Sequence, residues 1–253
     1  MRALKKADLS VEHIFHLPEE SLPDRSFVEK MGFEVVVTVS GDGTVASVCD
    51  ELSGWAGSIL VLPGGTMNLL SKRLHGDQNI LELLDQFAEH PLESVSIPVI
   101  KTDKTEIFTG LIAGPSTQWG EVRESIRNLD LGELVEKVPE AWAATTTGDS
   151  VRIQGQDGGY PAIFVEPLDN GNLGVRAFKA DGIGDMLGHG VAWLRRDFRE
   201  GPHDDLGEMR AVTIIDDSDN RLGLLVDGEQ ENAQSPFSCT ASRSSVRFLR
   251  MAP

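Results

Sequence analysis

Cysteine is scarce in this 253-residue chain, which holds only Cys49 and Cys239. The two are far apart in sequence, and Cys49 lies on the apolar side of a predicted helix. A disulfide framework or a zinc site needs more cysteines at closer spacing. We therefore expect two buried thiols in a protein of a reducing, cytoplasmic compartment.

Long hydrophobic runs are also missing. No apolar run approaches the roughly 18 residues that a membrane-spanning helix needs. Residues 1–6 lead into no apolar segment of the kind found in a secretory signal. We expect a soluble cytoplasmic protein whose membrane contact, where it has one, is peripheral at the inner membrane face.

Basic residues are few, since 23 Lys and Arg stand against 40 Asp and Glu and the formal net charge is −17. This balance argues against a nucleic-acid partner and against binding to anionic membranes through bulk charge. A helix predicted over 185–199 is a local exception, because Trp193 and three arginines (195, 196 and 199) flank its apolar stripe. This basic–aromatic cluster predicts either a site that contacts a membrane surface or accepts a phosphate-bearing lipid, or a packed helix with solvated arginines.

Two strand–glycine turn–helix units follow one another in residues 33–68. Residues 33–39 form a β-branched apolar run typical of a strand covered on both faces, and S-G-D-G-T at 40–44 leads into an amphipathic helix over 45–52. The pattern repeats as a strand over 58–62, the turn P-G-G-T at 63–66 and a helix over 67–74. Such units predict a parallel α/β sheet with both turns at its carboxyl edge, where these sheets bind ligands.

The chemistry of these turns suits an anion. Glycines let the backbone approach phosphate oxygens, and the N–H groups at helix starts attract negative charge. Asp42 tolerates phosphate only where a divalent cation or a sugar hydroxyl mediates, so it indicates metal–nucleotide chemistry. The alternative is a pair of ordinary turns in which Asp42 and Thr44 merely cap helices.

Short strands replace the helical pattern from residue 94 onward. A hairpin is predicted over 95–109, and polar turns separate further strands over 150–154, 162–166, 174–179, 211–215, 223–226 and 245–249. This pattern of short strands separated by polar turns predicts an antiparallel β-sandwich. We expect an α/β domain over 1–95 and a sandwich domain over 96–253, with a return of the last strand or strands to the first domain left open. A strand over 11–17 and helices over 24–31, 80–87 and 118–135 complete the prediction.

G-D-G-T at 41–44 followed by L-P-G-G-T-M-N at 62–68 resembles the diacylglycerol kinase catalytic-domain family of lipid kinases, which is distantly related to the NAD kinases. The family motifs usually read G-G-D-G-T and P-L-G-T-x-N, so Ser40 and Gly64 depart from them. The resemblance implies an α/β nucleotide-binding domain, a β-sandwich lipid-substrate domain, ATP and Mg²⁺. The family's N-P-x-S-G turn does not occur here, so the α/β domain is expected to lack its first strand.

The resemblance also implies roles for single residues. Gly41, Asp42, Gly43 and Thr44 would hold ATP·Mg²⁺ with Asp42 at the metal, and Gly65, Thr66 and Asn68 would complete the nucleotide site. D-G-E at 227–229 matches an acidic motif implicated in activating the lipid hydroxyl. Glu229 is then the expected proton acceptor and Asp227 its partner, or the roles are reversed. Taken alone, Asp-Gly is also a common hairpin turn.

A weaker match is the turn at 167–173. Asn170 stands where the family holds a magnesium through a carboxylate, and Asp169 is the alternative ligand. Hard divalent ions prefer carboxylates to amides. An ordinary Asn-Gly turn between two strands is the alternative.

The function implied by the resemblance is ATP-dependent transfer of a γ-phosphate to the hydroxyl of diacylglycerol or a similar long-chain lipid, with a part in phospholipid biosynthesis. One alternative is a non-catalytic relative that binds lipid or nucleotide and regulates another process. Another is an enzyme similar to the NAD kinases. The chain lacks the Asn-Glu dipeptide with which those kinases hold the nucleotide ribose, which disfavours that alternative.

Overall fold

The computed structural model describes residues 10–115, 150–178, 203–216 and 221–252. The helices predicted over 118–135 and 185–199, with the basic–aromatic cluster, lie outside these ranges. The chain divides into two compact units, one of residues 1–97 and 243–253 and the other of residues 98–242.

The described elements of the first unit are four helices and four strands. They are α1 (Arg25–Met31), β1 (Val35–Ser40), α2 (Asp42–Glu51), β2 (Ser58–Pro63), α3 (Leu69–His75), α4 (Ile80–Glu89), β3 (Leu92–Val95) and β15 (Arg247–Met251).

The described elements of the second unit are eleven strands. They are β4 (Pro98–Lys101), β5 (Glu106–Ile107), β6 (Leu111–Pro115), β7 (Val151–Ile153), β8 (Ala162–Pro167), β9 (Leu173–Phe178), β10 (His203–Met209), β11 (Ala211–Asp216), β12 (Arg221–Val226), β13 (Glu229–Gln234) and β14 (Phe237–Arg243).

The sheet of the first unit has the strand order β1-β2-β15-β3. Strand β1 pairs in parallel with β2, with Val37 opposite Leu60, and β2 pairs in parallel with β15. Strand β3 runs antiparallel to β15. The predicted α/β architecture with tandem strand–turn–helix units is confirmed.

Local capping explains where the helices begin and end. The Asp24 side chain accepts a hydrogen bond from the Phe27 N–H at the start of α1, and Gly32 ends that helix in the left-handed conformation at φ 69°. Asn79 and Glu82 form a capping box at the start of α4. The predicted helices over 24–31 and 80–87 are therefore confirmed.

Strand β2 lies at the centre of this unit's core. Leu60 and Leu62 on one face of it pack against Leu83, Leu84 and Phe87 of α4. Strand β1 ends the described order of the sheet, and Val39 in it is 56% exposed. The prediction that the first strand is covered on both faces was therefore wrong for its carboxyl end.

The strand predicted over 11–17 was also wrong, since these residues form no strand. The alternation there arises instead from aromatic packing. The rings of His13 and Phe15 lie 4.4 Å apart, and the Phe15 ring meets Phe27 of α1 edge-on at 5.6 Å. Contacts with a helix, not with a neighbouring strand, account for the pattern.

The second unit contains a six-stranded sheet of order β10-β9-β8-β6-β12-β13 and a five-stranded sheet of order β5-β4-β14-β11-β7. The strand pairs described in both are antiparallel. Fully buried side chains of both sheets, such as Ile100, Leu111, Ile163 and Ile214, form one hydrophobic cluster. The predicted antiparallel sandwich is confirmed.

Polar edge strands were missed by the sequence pattern. Strand β13 reads E-Q-E-N-A-Q and is largely exposed, because among the described strands it pairs only with β12, at the end of its sheet. Strand β10, at the opposite end, begins H-D-D. Neither strand shows the apolar alternation that marks a half-buried strand, so hydrophobic periodicity could not find them.

Both cysteines are buried free thiols, as predicted. Burial raises the pKa of the Cys239 thiol to about 12, which keeps it in the neutral, unreactive form at ordinary pH. In the ranges that the structure describes, no helix is long and apolar enough to cross a bilayer.

His75 is a buried histidine at the end of α3, with a side chain only 6% exposed. Its Nε2 lies 3.1 Å from the Val61 carbonyl oxygen and so donates the ring proton to it. Among the described residues Nδ1 has no partner, and the ring packs edge-on against Phe87. Burial lowers the pKa of His75 from 6.5 to about 4, only partly offset by the bond to Val61.

This histidine makes stability depend on pH. The unfolded chain binds the proton near pH 6.5 whereas the folded chain resists it, so stability is full above that pH and declines as the pH falls toward 4. We expect the His75 contribution to the free energy of unfolding to fall by about 2–4 kcal/mol across this range. Urea unfolding at a series of pH values measures it. His75→Gln, which stays neutral, is the control, and equal pH slopes for the two proteins would contradict the prediction.

Candidate functional site

The two glycine turns of the first unit touch backbone to backbone. A Cβ atom at Gly64 would lie 2.5 Å from the Ser40 nitrogen, and one at Gly65 would lie 2.5 Å from the Gly41 Cα. Real Cβ atoms do not approach other atoms this closely, so only glycine fits at positions 64 and 65. The turns at the ends of β1 and β2 therefore form a single surface, here called the glycine cradle (residues 40–44 and 63–68).

Asn68 closes the second turn of the cradle on itself. Its Oδ1 accepts hydrogen bonds from the N–H groups of Gly64 at 3.1 Å and Gly65 at 2.7 Å, and its Nδ2 donates to the Gly65 carbonyl at 2.9 Å. The residue takes the left-handed conformation at φ 54°, which asparagine tolerates better than most residues. Asn68 thus braces the loop, with both ends of its amide bound within the turn.

Asp42 links the first turn to the second helix. It lies in the first turn of α2, and its Oδ1 accepts a hydrogen bond from the Leu70 N–H of α3 at 3.2 Å. The carboxylate therefore does bind the start of a helix, but of the neighbouring one. The N-cap residue of α2, Gly41, provides no side-chain cap, so the first amide groups of this helix remain suited to an anion.

The cradle can accept a phosphate group accompanied by a cation. Within the cradle Thr66 is exposed, and Gly43 and Thr44 are half-buried at the start of α2. The described part of the chain contains no group of three His, Cys, Asp or Glu side chains that could hold a metal by themselves. Magnesium is commonly bound by one or two carboxylates together with substrate phosphates, so the single carboxylate of Asp42 fits a metal that arrives with a nucleotide.

Asp227, in the turn between β12 and β13, is a buried carboxylate enclosed by hydrogen-bond donors. Its Oδ1 accepts from the Thr109 N–H and hydroxyl, both at 2.6 Å, and from the Gly110 N–H at 3.3 Å. Its Oδ2 accepts from the Phe108 N–H at 2.8 Å, and its own N–H donates to the Gly110 carbonyl. Asp227 therefore fastens the 108–110 segment to the β12–β13 turn.

The environments of the two acidic residues in D-G-E differ. Burial raises the pKa of Asp227, while its hydrogen bonds to 108–110 act in the opposite direction. Asp227 also has a positive φ of 48°. Glu229, at the start of the edge strand β13, is exposed. Of these two residues, only Glu229 presents its carboxylate to a molecule that arrives from the solvent.

The turn between β8 and β9 carries Asn170 and the exposed Asp169. Asn170 Nδ2 and Asn172 Nδ2 both donate to Glu208 Oε2 of β10, at 2.7 and 3.0 Å. These amides, that of Asn172 first, lower the pKa of Glu208. The amides thus fill the place of a positive partner for Glu208, and Asn170, whose amide donates to Glu208, does not fit the magnesium ligand that the resemblance implies at this position.

The structure places the predicted residues in separate turns. Gly41, Asp42, Gly65 and Asn68 meet in the cradle of the first unit, while Asp227 and Glu229 share one turn of the second unit. Sequence reasoning missed the partners Thr109, Gly110, Asn172 and Glu208. The 108–110 segment lies more than 100 positions from Asp227, with 118 between Asp227 and Thr109, and no local spacing signals such a pairing.

Comparison with known proteins agrees with this architecture. The family model of the diacylglycerol kinase catalytic domain matches residues 5–100. No curated protein matches the chain by sequence. A candidate diacylglycerol kinase from Bacillus anthracis str. Sterne superposes with a TM-score of 0.60 at 18% identity, covering 90% of this chain and 81% of that chain.

Two further solved structures from the same organism are similar. One candidate diacylglycerol kinase gives a TM-score of 0.58 at 16% identity, covering 89% of this chain and 80% of its own. A diacylglycerol kinase gives 0.59 at 17% identity, covering 90% and 82%. At such identities the likeness shows a shared fold, namely an α/β unit followed by antiparallel sheets.

Residues 5–100 thus match the catalytic domain of the diacylglycerol kinase family, as the paired glycine motifs predicted. This match supports a kinase at a coarse level.

The contact between the turns predicts unequal effects of adding a methyl group on its two sides. Gly65→Ala places the Cβ 2.5 Å from the Gly41 Cα, whereas Gly41→Ala meets the Gly65 Cα at an ordinary 3.6 Å. We expect the first variant to lose about 1–3 kcal/mol of unfolding free energy and the second to lose less, about 0.5–1 kcal/mol, because alanine is a poorer N-cap than glycine. Urea unfolding measures both, and equal losses would show that the contact is not the constraint.

The two acidic residues of the β12–β13 turn are likewise expected to separate in a stability measurement. Asp227→Ala removes the buried carboxylate that accepts hydrogen bonds from the N–H groups of Phe108, Thr109 and Gly110, which costs about 2–5 kcal/mol. Glu229→Ala alters an exposed strand residue and should change stability by less than about 0.5 kcal/mol. A Glu229→Ala variant that unfolds as readily as Asp227→Ala would refute this division of roles.

Proposed function

We propose that the protein is an ATP-dependent lipid kinase that transfers a phosphoryl group to the hydroxyl of diacylglycerol or a similar long-chain lipid. The observation that carries the proposal is the glycine cradle, with its uncapped α2 start and nearby carboxylate, in a chain whose residues 5–100 match the diacylglycerol kinase catalytic domain. The likeness to the Bacillus anthracis structures supports the fold that such an enzyme would use.

In this proposal the cradle binds the phosphates of ATP. The amide groups of Gly41, Gly43 and Thr44 and the exposed Thr66 would contact phosphate oxygens, because helix starts and glycine turns favour anions. Mg²⁺ would enter with the nucleotide and bind beside Asp42, where it would neutralise phosphate charge. Gly65 and Asn68 would contribute by holding the shape of the second turn, as their contacts support.

We assign the proton transfer to Glu229. A general base must reach the hydroxyl of an arriving molecule and must have a free lone pair. Glu229 is exposed, whereas both oxygens of Asp227 accept hydrogen bonds from residues 108–110. Asp227 therefore serves Glu229 as a positioning residue through the turn that carries both.

The proposed reaction is an ordinary phosphoryl transfer from ATP to an alcohol. The lipid hydroxyl loses its proton to the Glu229 carboxylate, and its oxygen forms a bond to the γ-phosphorus while the bond to the β–γ bridging oxygen breaks and ADP departs. Charge neutralisation and positioning provide most of the rate in such transfers. Because a long-chain acceptor resides in a bilayer, we propose that the enzyme works as a peripheral protein at a membrane surface.

The assignment predicts a selective loss of activity in Glu229→Gln. Transfer of labelled γ-phosphate to diacylglycerol in mixed micelles should fall about 100- to 10,000-fold, because the base is lost. Affinity for ATP·Mg²⁺, measured by calorimetry, should be unchanged. Glu231→Gln is the matched control, since it removes the same charge from an exposed position two residues along the same strand.

Three other outcomes would change the proposal. Full activity in Glu229→Gln would remove the residue assignment but not the reaction. ATP binding without transfer to diacylglycerol, a sphingoid base or any other lipid acceptor would favour the non-catalytic relative. Transfer to NAD instead of a lipid would favour an enzyme similar to the NAD kinases.

A further inference from the structure

Hydrogen bonds to Glu208 Oε2, Asn170 Oδ1 and the Gly171 carbonyl close the turn between β8 and β9. Glu208 Oε2 accepts from Asn170 Nδ2 at 2.7 Å and from Asn172 Nδ2 at 3.0 Å. Asn170 Oδ1 accepts from the Asn172 N–H at 3.0 Å. The Gly171 carbonyl accepts from Arg210 Nη1 at 2.9 Å.

These contacts are the opposite of what a hard cation requires. Mg²⁺ and Ca²⁺ bind oxygen lone pairs, yet here Glu208 Oε2, Asn170 Oδ1 and the Gly171 carbonyl each already accept a hydrogen bond from an N–H group. The Arg210 guanidinium, itself positive, stands at the carbonyl that could otherwise point toward a metal. A cation that bound these three oxygens would compete with their N–H donors and would lie beside the positive Arg210 guanidinium.

We propose that Asn170, Asn172 and Arg210 form a metal-independent lock that holds the β8–β9 turn against Glu208 of β10. Asn170 and Asn172 are uncharged N–H donors to Glu208. They take the place that a magnesium ion would have beside a carboxylate at position 170. The turn of this chain therefore keeps its shape without a divalent ion, in contrast to the arrangement that the family resemblance implies. This inference does not depend on the proposed kinase activity.

The decisive variant is Asn170→Asp in the full chain. It removes a donor and places a second carboxylate next to Glu208, and two adjacent carboxylates need a proton or a cation between them. We expect wild-type protein to show the same thermal midpoint with EDTA and with about 5 mM Mg²⁺ or Ca²⁺, whereas the variant should bind Ca²⁺ with a Kd of about 0.1–1 mM. Its midpoint should fall by about 2–4 °C in EDTA and recover with the cation.

A charge swap provides the matched control. Asn170→Asp combined with Glu208→Gln restores one amide and one carboxylate in exchanged positions, so it should be as stable in EDTA as the wild type and should bind no Ca²⁺. Asn170→Ala in the wild-type background locates any magnesium response. A response shared by wild type, Asn170→Ala and Asp169→Asn arises outside the turn and agrees with the lock. A saturable Mg²⁺ response of the wild type that either substitution removes would overturn it.

Discussion

The backbone contact between two glycine turns is the constraint on which the first unit depends. Because a Cβ at Gly64 would reach the Ser40 nitrogen at 2.5 Å, the ends of β1 and β2 can come together only in its absence. Ser40 and Gly64 are also the two positions at which the chain departs from the usual family motifs. The contact explains the departure at position 64, since a leucine there could not fit against this backbone.

Side-chain oxygens then fix the turns that the glycines allow. Asn68 binds the amide groups of its own turn, Asp42 binds the start of α3, and Asp227 binds the segment 108–110. In each case a short polar side chain satisfies backbone N–H groups that regular structure leaves unpaired. Motif residues that suggest catalysis thus also carry the local fold, and Glu229 differs from them in facing outward.

Sequence patterns predicted the helices and strands that have one apolar, buried face and one polar, exposed face. They failed for elements that lack such a division. The helix starting at Asn79 follows from its apolar face and its cap, whereas the polar edge strand of Glu229 shows no such periodicity. The paired motifs predicted the cradle because their spacing is local. They could not predict the partners of Asp227 or Asn170, which lie 118 and 38 positions away and are brought close only by sheet pairing.

Loss of activity alone therefore cannot assign a chemical role to the motif residues of this chain. Removing Asp42 or Asp227 would leave backbone N–H groups unpaired, and the resulting shift of a turn would impair catalysis whether or not the carboxylate touches a substrate. Glu229 is free of this ambiguity because its side chain is exposed. Its substitution changes a charge and little else, so the chemistry of the site is best examined at Glu229. Substitutions of Asp42 and Asp227 examine the architecture instead.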